Sequence, residues 1–357
     1  MKQRYLTLIL VILLGAIFLT SCSGAMGASS WPGLSLADDN LYLSYSTSVF
    51  ALNINDGGII WRFPSETKNT IQFYAPVAVS NEQLVVGDYG KSLYSIDPKT
   101  GSQRWSFNGA KGRWIAGAVI TDALNNGNIT LAPNGDNNLY ALTAEGQLLW
   151  TFEGSTEALW AQPVVFEGKA YQVSMDHSLY AIDLKTGTQD WSLKLDGAMV
   201  HAPLLSEGVL YISTFGNTLH AIQVNNQVTK WQFKTDDEVW GTPVLHAGNL
   251  YFADLSGKIY AVKAQDGSLV WTMNAGGPVA GSAVLTSDGL VFLTETGDVM
   301  LVNFEGAKQW TRSIEGKLYG NALIGNDRII VPVVGKESLL VAYDLRGNEI
   351  WSFFPPK

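Results

Sequence analysis

Short apolar segments alternate with polar turns along most of the chain, and eight of these segments are each followed by a tryptophan. Leu93 to Ile96 and Leu179 to Ile182 are typical segments. The tryptophans are spaced by 44, 45, 41, 40, 40, 39 and 41 residues and are Trp61, Trp105, Trp150, Trp191, Trp231, Trp271, Trp310 and Trp351. Such a constant period indicates an internal structural repeat.

A turn lies between each apolar segment and its tryptophan, and this order predicts a β-hairpin. In the turn from Asp183 to Gly187 the aspartate side chain caps the turn, and the glycine takes the position with positive φ. Two more strand-like segments precede the hairpin, for example Pro163 to Phe166 and Ala170 to Val173. Four short antiparallel strands per repeat are typical of a propeller blade.

The eight repeats predict an all-β fold, an eight-bladed β-propeller of four-stranded antiparallel blades. No segment keeps a 3.6-residue apolar period over a helical length, which argues against helical and leucine-rich solenoids. The first repeat holds four strands between Gly33 and Phe63, and the last keeps its fourth strand at Trp351 to Phe354. The strand count requires no exchange of a terminal strand, so we expect the first and last blades to pack together and close the ring.

Composition supports many short strands and argues against one class of partner. Charged residues make up 15% of the 357 residues and aromatic residues 11%, and the chain holds 12 Trp and 36 Gly. The formal net charge is −9, and no cluster of Lys and Arg offers a surface that could neutralise phosphates. We therefore expect no nucleic-acid partner.

The N-terminal segment reads as a targeting signal. Lys2 and Arg4 precede an apolar run from Leu6 to Leu19, which is too short to span a bilayer. The sequence Leu-Thr-Ser-Cys that ends at Cys22 resembles the bacterial lipobox, in which the cysteine is acylated and becomes the new N-terminus. Cys22 is the only cysteine of the chain. An ordinary signal peptide with an incidental cysteine is the alternative.

These observations predict three segments: a lipoprotein signal peptide at residues 1–21, a lipidated flexible tether at 22–30 and the propeller at 31–357. We therefore expect an extracytoplasmic protein held at a bacterial membrane through lipid on Cys22. Ser23 stands where an aspartate would retain some lipoproteins at the inner membrane. The expected location is the outer membrane if the cell has two membranes.

The repeats resemble the PQQ-like repeat family. The pattern Leu-Tyr-Ala-Ile-Asp-x-x-Thr-Gly, followed four residues later by Trp, runs from Leu179 to Trp191. Departures are the shorter turns at Thr143 to Gly146 and Asn303 to Gly306, and the turn from Asn225 to Gln227, which lacks the glycine. The resemblance implies that the repeated tryptophans pack between adjacent blades.

Members of this family include quinoprotein dehydrogenases, so the resemblance raises the possibility of catalytic chemistry. Those enzymes are longer and hold PQQ beneath a disulfide between neighbouring cysteines, which a chain with one cysteine does not form. The four histidines, His177, His201, His220 and His246, show no short metal-ligand spacing. Pairs such as Asp56-Gly57, Asn126-Gly127 and Asp266-Gly267 are explained by hairpin turns rather than by Ca²⁺. We therefore expect no catalytic residue, no metal site and no cofactor.

Three functional hypotheses follow. A lipobox together with eight such blades resembles the BamB group of outer-membrane assembly lipoproteins, which implies a non-catalytic scaffold with a protein partner at a propeller face. The alternative is a sensor or binding module for a small molecule or glycan in the central channel. A quinoprotein dehydrogenase is the third.

A second set of aromatic residues predicts a binding collar. They stand three residues before a Pro, Gly or Ala at the start of the first strand, and are Phe73, Trp114, Trp160, Trp240 and Tyr319. Because the first strand of a blade is innermost, we expect them to ring one mouth of the channel. Acidic neighbours, Glu157, Asp236, Asp237, Glu238 and Glu315, predict a negative rim that favours a cationic or polar partner. The alternative is that these aromatics plug the axis and pack on neighbouring blades.

Overall fold

A computed structural model describes residues 31–66, 68–124 and 127–356. The predicted signal peptide, the tether with Cys22, and Asn126 lie outside the described residues. Within those ranges the regular structure consists of 32 β-strands in eight four-stranded antiparallel sheets, each with its strands in chain order. The eight-bladed β-propeller is confirmed. No helix of the described residues is long and apolar enough to cross a membrane.

The strands of the first four blades, in chain order, are β1 (Gly33–Ala37), β2 (Asn40–Tyr45), β3 (Ser48–Asn53), β4 (Ile59–Phe63), β5 (Ala78–Val79), β6 (Leu84–Gly87), β7 (Leu93–Ile96), β8 (Gln103–Phe107), β9 (Val119–Thr121), β10 (Ile129–Pro133), β11 (Leu139–Thr143), β12 (Leu148–Phe152), β13 (Val164–Phe166), β14 (Lys169–Val173), β15 (Ser178–Asp183) and β16 (Gln189–Lys194). Those of the last four are β17 (Leu204–Ser206), β18 (Val209–Thr214), β19 (Thr218–Gln223), β20 (Val228–Lys234), β21 (Val244–His246), β22 (Asn249–Ala253), β23 (Lys258–Lys263), β24 (Leu269–Asn274), β25 (Val284–Leu285), β26 (Leu290–Leu293), β27 (Asp298–Val302), β28 (Lys308–Ser313), β29 (Leu323–Gly325), β30 (Arg328–Pro332), β31 (Leu340–Asp344) and β32 (Glu349–Phe353).

The antiparallel order gives every blade two ends. The linkers from one blade to the next and the turns between second and third strands lie at one end, which we call the linker face. The other two turns of each blade lie at the opposite end, the hairpin face. First strands of neighbouring blades contact each other, as β1 does with β5 and β29, so the first strand is innermost.

The repeated tryptophan connects each blade to the next by a hydrogen bond and a ring contact. Trp150 donates its indole N–H to the carbonyl of Leu184 in the following blade, at 2.9 Å. Gly187 of the same turn has φ +72°, and a Cβ there would lie 2.5 Å from the Trp150 ring. Seven of the eight repeat tryptophans donate such a bond, at 2.7 to 3.1 Å. The implied packing between blades is confirmed.

Trp191 is the exception. It faces the turn that lacks the glycine, where Gln227 takes the left-handed conformation with φ +60°. Among the described residues, Trp191 is the one repeat tryptophan whose indole makes no such bond to the next turn. At the seam between blades 4 and 5, Trp191 therefore still packs on a core shared by the two blades, but the hydrogen bond is missing.

The ring closes by packing of whole blades, as expected. Trp351 of the last blade donates its indole N–H to Ile54 O of the first at 3.0 Å, and its ring covers Gly57. Phe50 and Phe353 meet in a core shared by these two blades, with ring centroids 5.6 Å apart. Both terminal blades are built from their own four strands.

Candidate functional site

The linkers on the linker face share one backbone geometry, which sets the register of the predicted collar. In blade 4 the N–H of the buried Leu159 donates to Asn134 O of the preceding blade at 3.2 Å. The N–H groups of Phe73 and Trp114 make the equivalent bonds, to Ser46 O at 2.6 Å and to Asp88 O at 3.2 Å. Phe73 and Trp114 are therefore equivalent to Leu159, not to Trp160.

This geometry shows that the exposed-collar prediction was wrong for two residues. Phe73 is 0% exposed and Trp114 is 1% exposed. Phe73 packs on Tyr94, and Trp114 on Tyr140, each with ring centroids 5.7 Å apart. For Phe73 and Trp114 the alternative interpretation is therefore the right one: these side chains pack in the cores between blades. Pro76 and Gly117, the residues from which the predicted positions are counted, each come one residue earlier relative to the inner strand than Pro163 does.

Strand register defines the collar that the structure does form. Trp160 lies four residues before Val164, and Val164 aligns across its sheet with Tyr171, Ala181 and Trp191. Counting back in the same way from each repeat tryptophan gives the whole collar: Trp31, Tyr74, Ile115, Trp160, Val200, Trp240, Ala280 and Tyr319. Trp160 is 40% exposed and Trp31 is 38% exposed, while Trp240 and Tyr319 are partly exposed.

The structure thus places three of the five predicted aromatic residues, Trp160, Trp240 and Tyr319, in the collar. It adds two aromatic residues that sequence reasoning missed, Trp31 and Tyr74. Trp31 and Tyr319 are neighbours, with ring centroids 6.2 Å apart. Tyr74 had a usable signal in the sequence, because Phe73-Tyr74-Ala75 repeats the order of an apolar residue, an aromatic residue and alanine in Leu159-Trp160-Ala161.

Around Trp240 the collar combines aromatic and acidic groups. The Trp240 ring stacks on Phe215 with centroids 4.9 Å apart, and its indole N–H donates to Glu238 Oε2 at 3.0 Å. Asp237 accepts the Glu238 N–H at 2.9 Å, and Asp236 pairs with Lys258 at 3.0 Å. We call Phe215, Trp240 and the three carboxylates the tryptophan patch.

A different group lies on blades 1 to 3. The rings of Tyr45 and Tyr74 are 5.9 Å apart, those of Tyr74 and Tyr89 are 5.0 Å apart, and the Arg113 guanidinium lies 5.4 Å from the Tyr89 ring centre. We call these four residues the tyrosine patch. Tyr45 ends the second strand of its blade, and Tyr89 and Phe215 follow theirs; no repeated aromatic signals these positions in the sequence.

Buried polar networks support the linker face from below. Tyr180 donates its hydroxyl to Asp176 Oδ2 at 2.6 Å, and Tyr260 does the same to Asp254 Oδ2 at 2.7 Å. Although burial opposes ionisation of Asp176, hydrogen bonds from Tyr180 and Thr156 lower its pKa to about 2. These carboxylates accept hydrogen bonds from the protein itself, and those bonds attach the linkers to the blades.

The histidines are placed in the fold individually. His220 is 1% exposed and takes the third-strand position that holds Tyr180 and Tyr260 in other blades; its Nε2 lies 2.8 Å from Oδ1 of Asp196 in the preceding linker. Burial lowers the pKa of His201 to about 4. The His246 ring stacks on Phe304 with centroids 4.1 Å apart, and His177 occupies a turn with φ +70°. In the part of the chain that the structure describes, no group of three or more His, Cys, Asp or Glu side chains could hold a metal ion.

Comparisons with known proteins agree with this architecture. The family model described as outer membrane protein assembly factor BamB matches residues 45–161, 135–271 and 237–353. The crystal structure of BamB from Moraxella catarrhalis has a TM-score of 0.73 and 16% identity, covering 84% of this chain and 92% of that one. The computationally designed Ika8 protein also has a TM-score of 0.73, with 11% identity, covering 92% of this chain and 98% of that one. No curated protein matches the chain. At these identities the two structures show the fold alone.

Proposed function

Because the chain belongs to the PQQ-like repeat family described as outer membrane protein assembly factor BamB, we propose that it is a non-catalytic scaffold that binds a protein partner outside the cytoplasm. The family description names an assembly factor of outer membrane proteins, and we extend that role to this chain. The fold suits such a role, since a closed ring presents broad rigid faces.

One observation carries the proposal: an exposed aromatic collar on a rigid frame. Trp160 and Trp31 leave 40% and 38% of their surface exposed, although Leu159 and Ala161 on either side of Trp160 are buried. Trp and Tyr side chains are the commonest hot spots of protein interfaces, because they bring a large apolar area and a polar edge. Backbone bonds between blades hold the linkers in place, so binding would order little new structure.

The partner experiment replaces Trp160 and Trp240 together by alanine. Affinity purification of the tagged protein from detergent-solubilised native membranes should then lose its co-purifying protein, with the melting temperature within a few degrees of the parent. A matched control replaces Leu148 and Leu269, which are each 51% exposed on fourth strands away from the collar. Retention of the partner by the collar variant, or equal loss from the control, would contradict a binding role for the collar.

The proposed membrane anchor is lipid on Cys22, supported by the sequence Leu-Thr-Ser-Cys after an apolar run. Cys22→Ala should move the protein from the detergent phase to the aqueous phase in detergent phase partitioning. Ser23→Ala serves as the neighbouring control and should stay with detergent. Identical partitioning of Cys22→Ala and the parent would show that this cysteine is no anchor.

A further inference from the structure

The tyrosine patch and the tryptophan patch carry opposite charge on the same face. Arg113 is exposed in the linker before blade 3, Lys111 stands two residues earlier, and Lys91 is exposed in the turn that follows Tyr89. In the described chain, no ion pair involves any of these three cations. This is a local exception in a protein whose net charge is −9.

Two aspartates in turns beside these cations already accept hydrogen bonds from other groups of the protein. Asp88 is 2% exposed and accepts hydrogen bonds from Ser92 N and the Tyr94 hydroxyl, at 2.8 and 3.1 Å. Asp136 accepts from Lys111 N at 2.7 Å and from the Tyr140 hydroxyl at 2.8 Å. Asp88 is thus buried away from solvent, and the partly exposed Asp136 is held by two hydrogen bonds, so neither aspartate pairs with Arg113, Lys111 or Lys91 in the described chain.

The hydroxyls of Tyr45 and Tyr74 add hydrogen-bond donors on the same face as the cations. Tyr45, Tyr74 and Tyr89 form one continuous group of rings across two blades, and each remains partly exposed. Burial, followed by the nearby Tyr45 and Tyr89, raises the pKa of Tyr74, so its hydroxyl stays protonated at neutral pH. Protonated phenols and a guanidinium are complementary to carboxylate groups.

We propose that the tyrosine patch is a second contact site on the linker face, and that it binds an acidic segment of a protein partner. This inference rests on the proposed binding function of the same face. Blade 2 lies opposite blade 6 in a ring of eight, so the basic and acidic patches face each other across the channel mouth. A partner that meets both patches has an acidic and a basic segment, and this opposition fixes its orientation.

An anionic membrane surface is the other class of ligand that an arginine–lysine patch could meet. A flat bilayer that approached the linker face would also meet Asp236 and Glu238 of the tryptophan patch, which it repels. A protein segment contacts one patch at a time and avoids this repulsion. The charge pattern of the face therefore favours a protein segment.

The test uses a fluorescein-labelled peptide of alternating Glu and Ser residues, with a Gln-Ser peptide as the neutral control. Fluorescence anisotropy at about 20 mM salt should detect binding of the acidic peptide alone, because screening is weak there. Arg113→Glu combined with Lys91→Glu should weaken binding by about tenfold or more. The control, Lys99→Glu with Lys185→Glu, makes the same change in net charge on the hairpin face and should change affinity by less than about twofold.

Several outcomes would overturn the proposal: no binding of the acidic peptide, equal weakening by both charge reversals, or binding only to vesicles that contain phosphatidylglycerol. Trp160→Ala with Trp240→Ala should leave peptide binding unchanged, which separates this inference from the proposed function. If the collar variant keeps its membrane partner while peptide binding depends on Arg113, the tyrosine patch stands and the collar proposal fails. If the collar variant loses its membrane partner but peptide binding does not depend on Arg113, the collar proposal stands and the tyrosine-patch proposal fails.

Discussion

Each repeat carries two aromatic positions that the ring treats differently. The tryptophan of the fourth strand is present in all eight blades, and in seven it meets an indole acceptor and a positive-φ glycine in the next blade. The collar position, four residues before the inner strand, holds Trp, Tyr, Ile, Val or Ala. A side chain that folding requires recurs in every blade, whereas one that folding leaves free varies around the ring.

The largest loss of stability is expected when a repeat tryptophan is removed from the seam between two blades, which we call a seam tryptophan. Trp61 is 8% exposed and bonds to Pro98 O at 2.9 Å, so Trp61→Ala should lower the free energy of unfolding by about 3 to 5 kcal/mol. Trp160→Ala, at the exposed position, should lower it by less than about 1 kcal/mol. Urea denaturation followed by far-ultraviolet circular dichroism measures both. Similar losses for the two variants would remove the distinction between seam and collar.

A middle-sized effect is expected at the glycine beneath a seam tryptophan. Gly187→Ala puts a Cβ at 2.5 Å from the Trp150 ring on a residue with φ +72°, and should cost about 1 to 3 kcal/mol. Gly168, with φ +73° and no atom within 4 Å of an added Cβ, is the matched control for backbone strain alone. A cost at Gly187 no larger than that at Gly168 would show that the tight ring contact contributes nothing.

The smallest change in stability is expected at the seam between blades 4 and 5, where the turn lacks the glycine. Gln227 stands at φ +60° where the other blades place glycine, so Gln227→Gly should relieve backbone strain and raise the free energy of unfolding by about 0.5 kcal/mol. Thermal unfolding of this variant beside Gly187→Ala checks the sign. A destabilised Gln227→Gly would mean that the glutamine side chain itself supports the turn.

The sequence predicted the fold and the ring closure because both depend on the repeated feature. Eight tryptophans at a near-constant period fix the blade count, and complete first and last blades remove the need for strand exchange. The collar was harder to predict. A shift of one residue between Pro76 and Pro163 exchanged Phe73 for Tyr74, and a one-residue shift turns a buried side chain outward.

Residues that do not recur could not be found by comparing repeats. Tyr45, at the end of a second strand, and Tyr89 and Phe215, in the turns after second strands, occupy positions whose sequences differ among blades. Only the folded ring brings them beside the collar. The acylation of Cys22 stays a prediction, since that residue lies outside the described part of the chain.

The central claim is that the varied position of the repeat, rather than the constant one, meets the partner. The most direct measurement places a photoreactive benzoylphenylalanine at position 160 of the collar or at position 149, where Leu149 is 48% exposed on a fourth strand. After irradiation of living cells, position 160 should give a discrete protein adduct and position 149 none. No adduct at position 160, or the same adduct at both positions, would contradict the account.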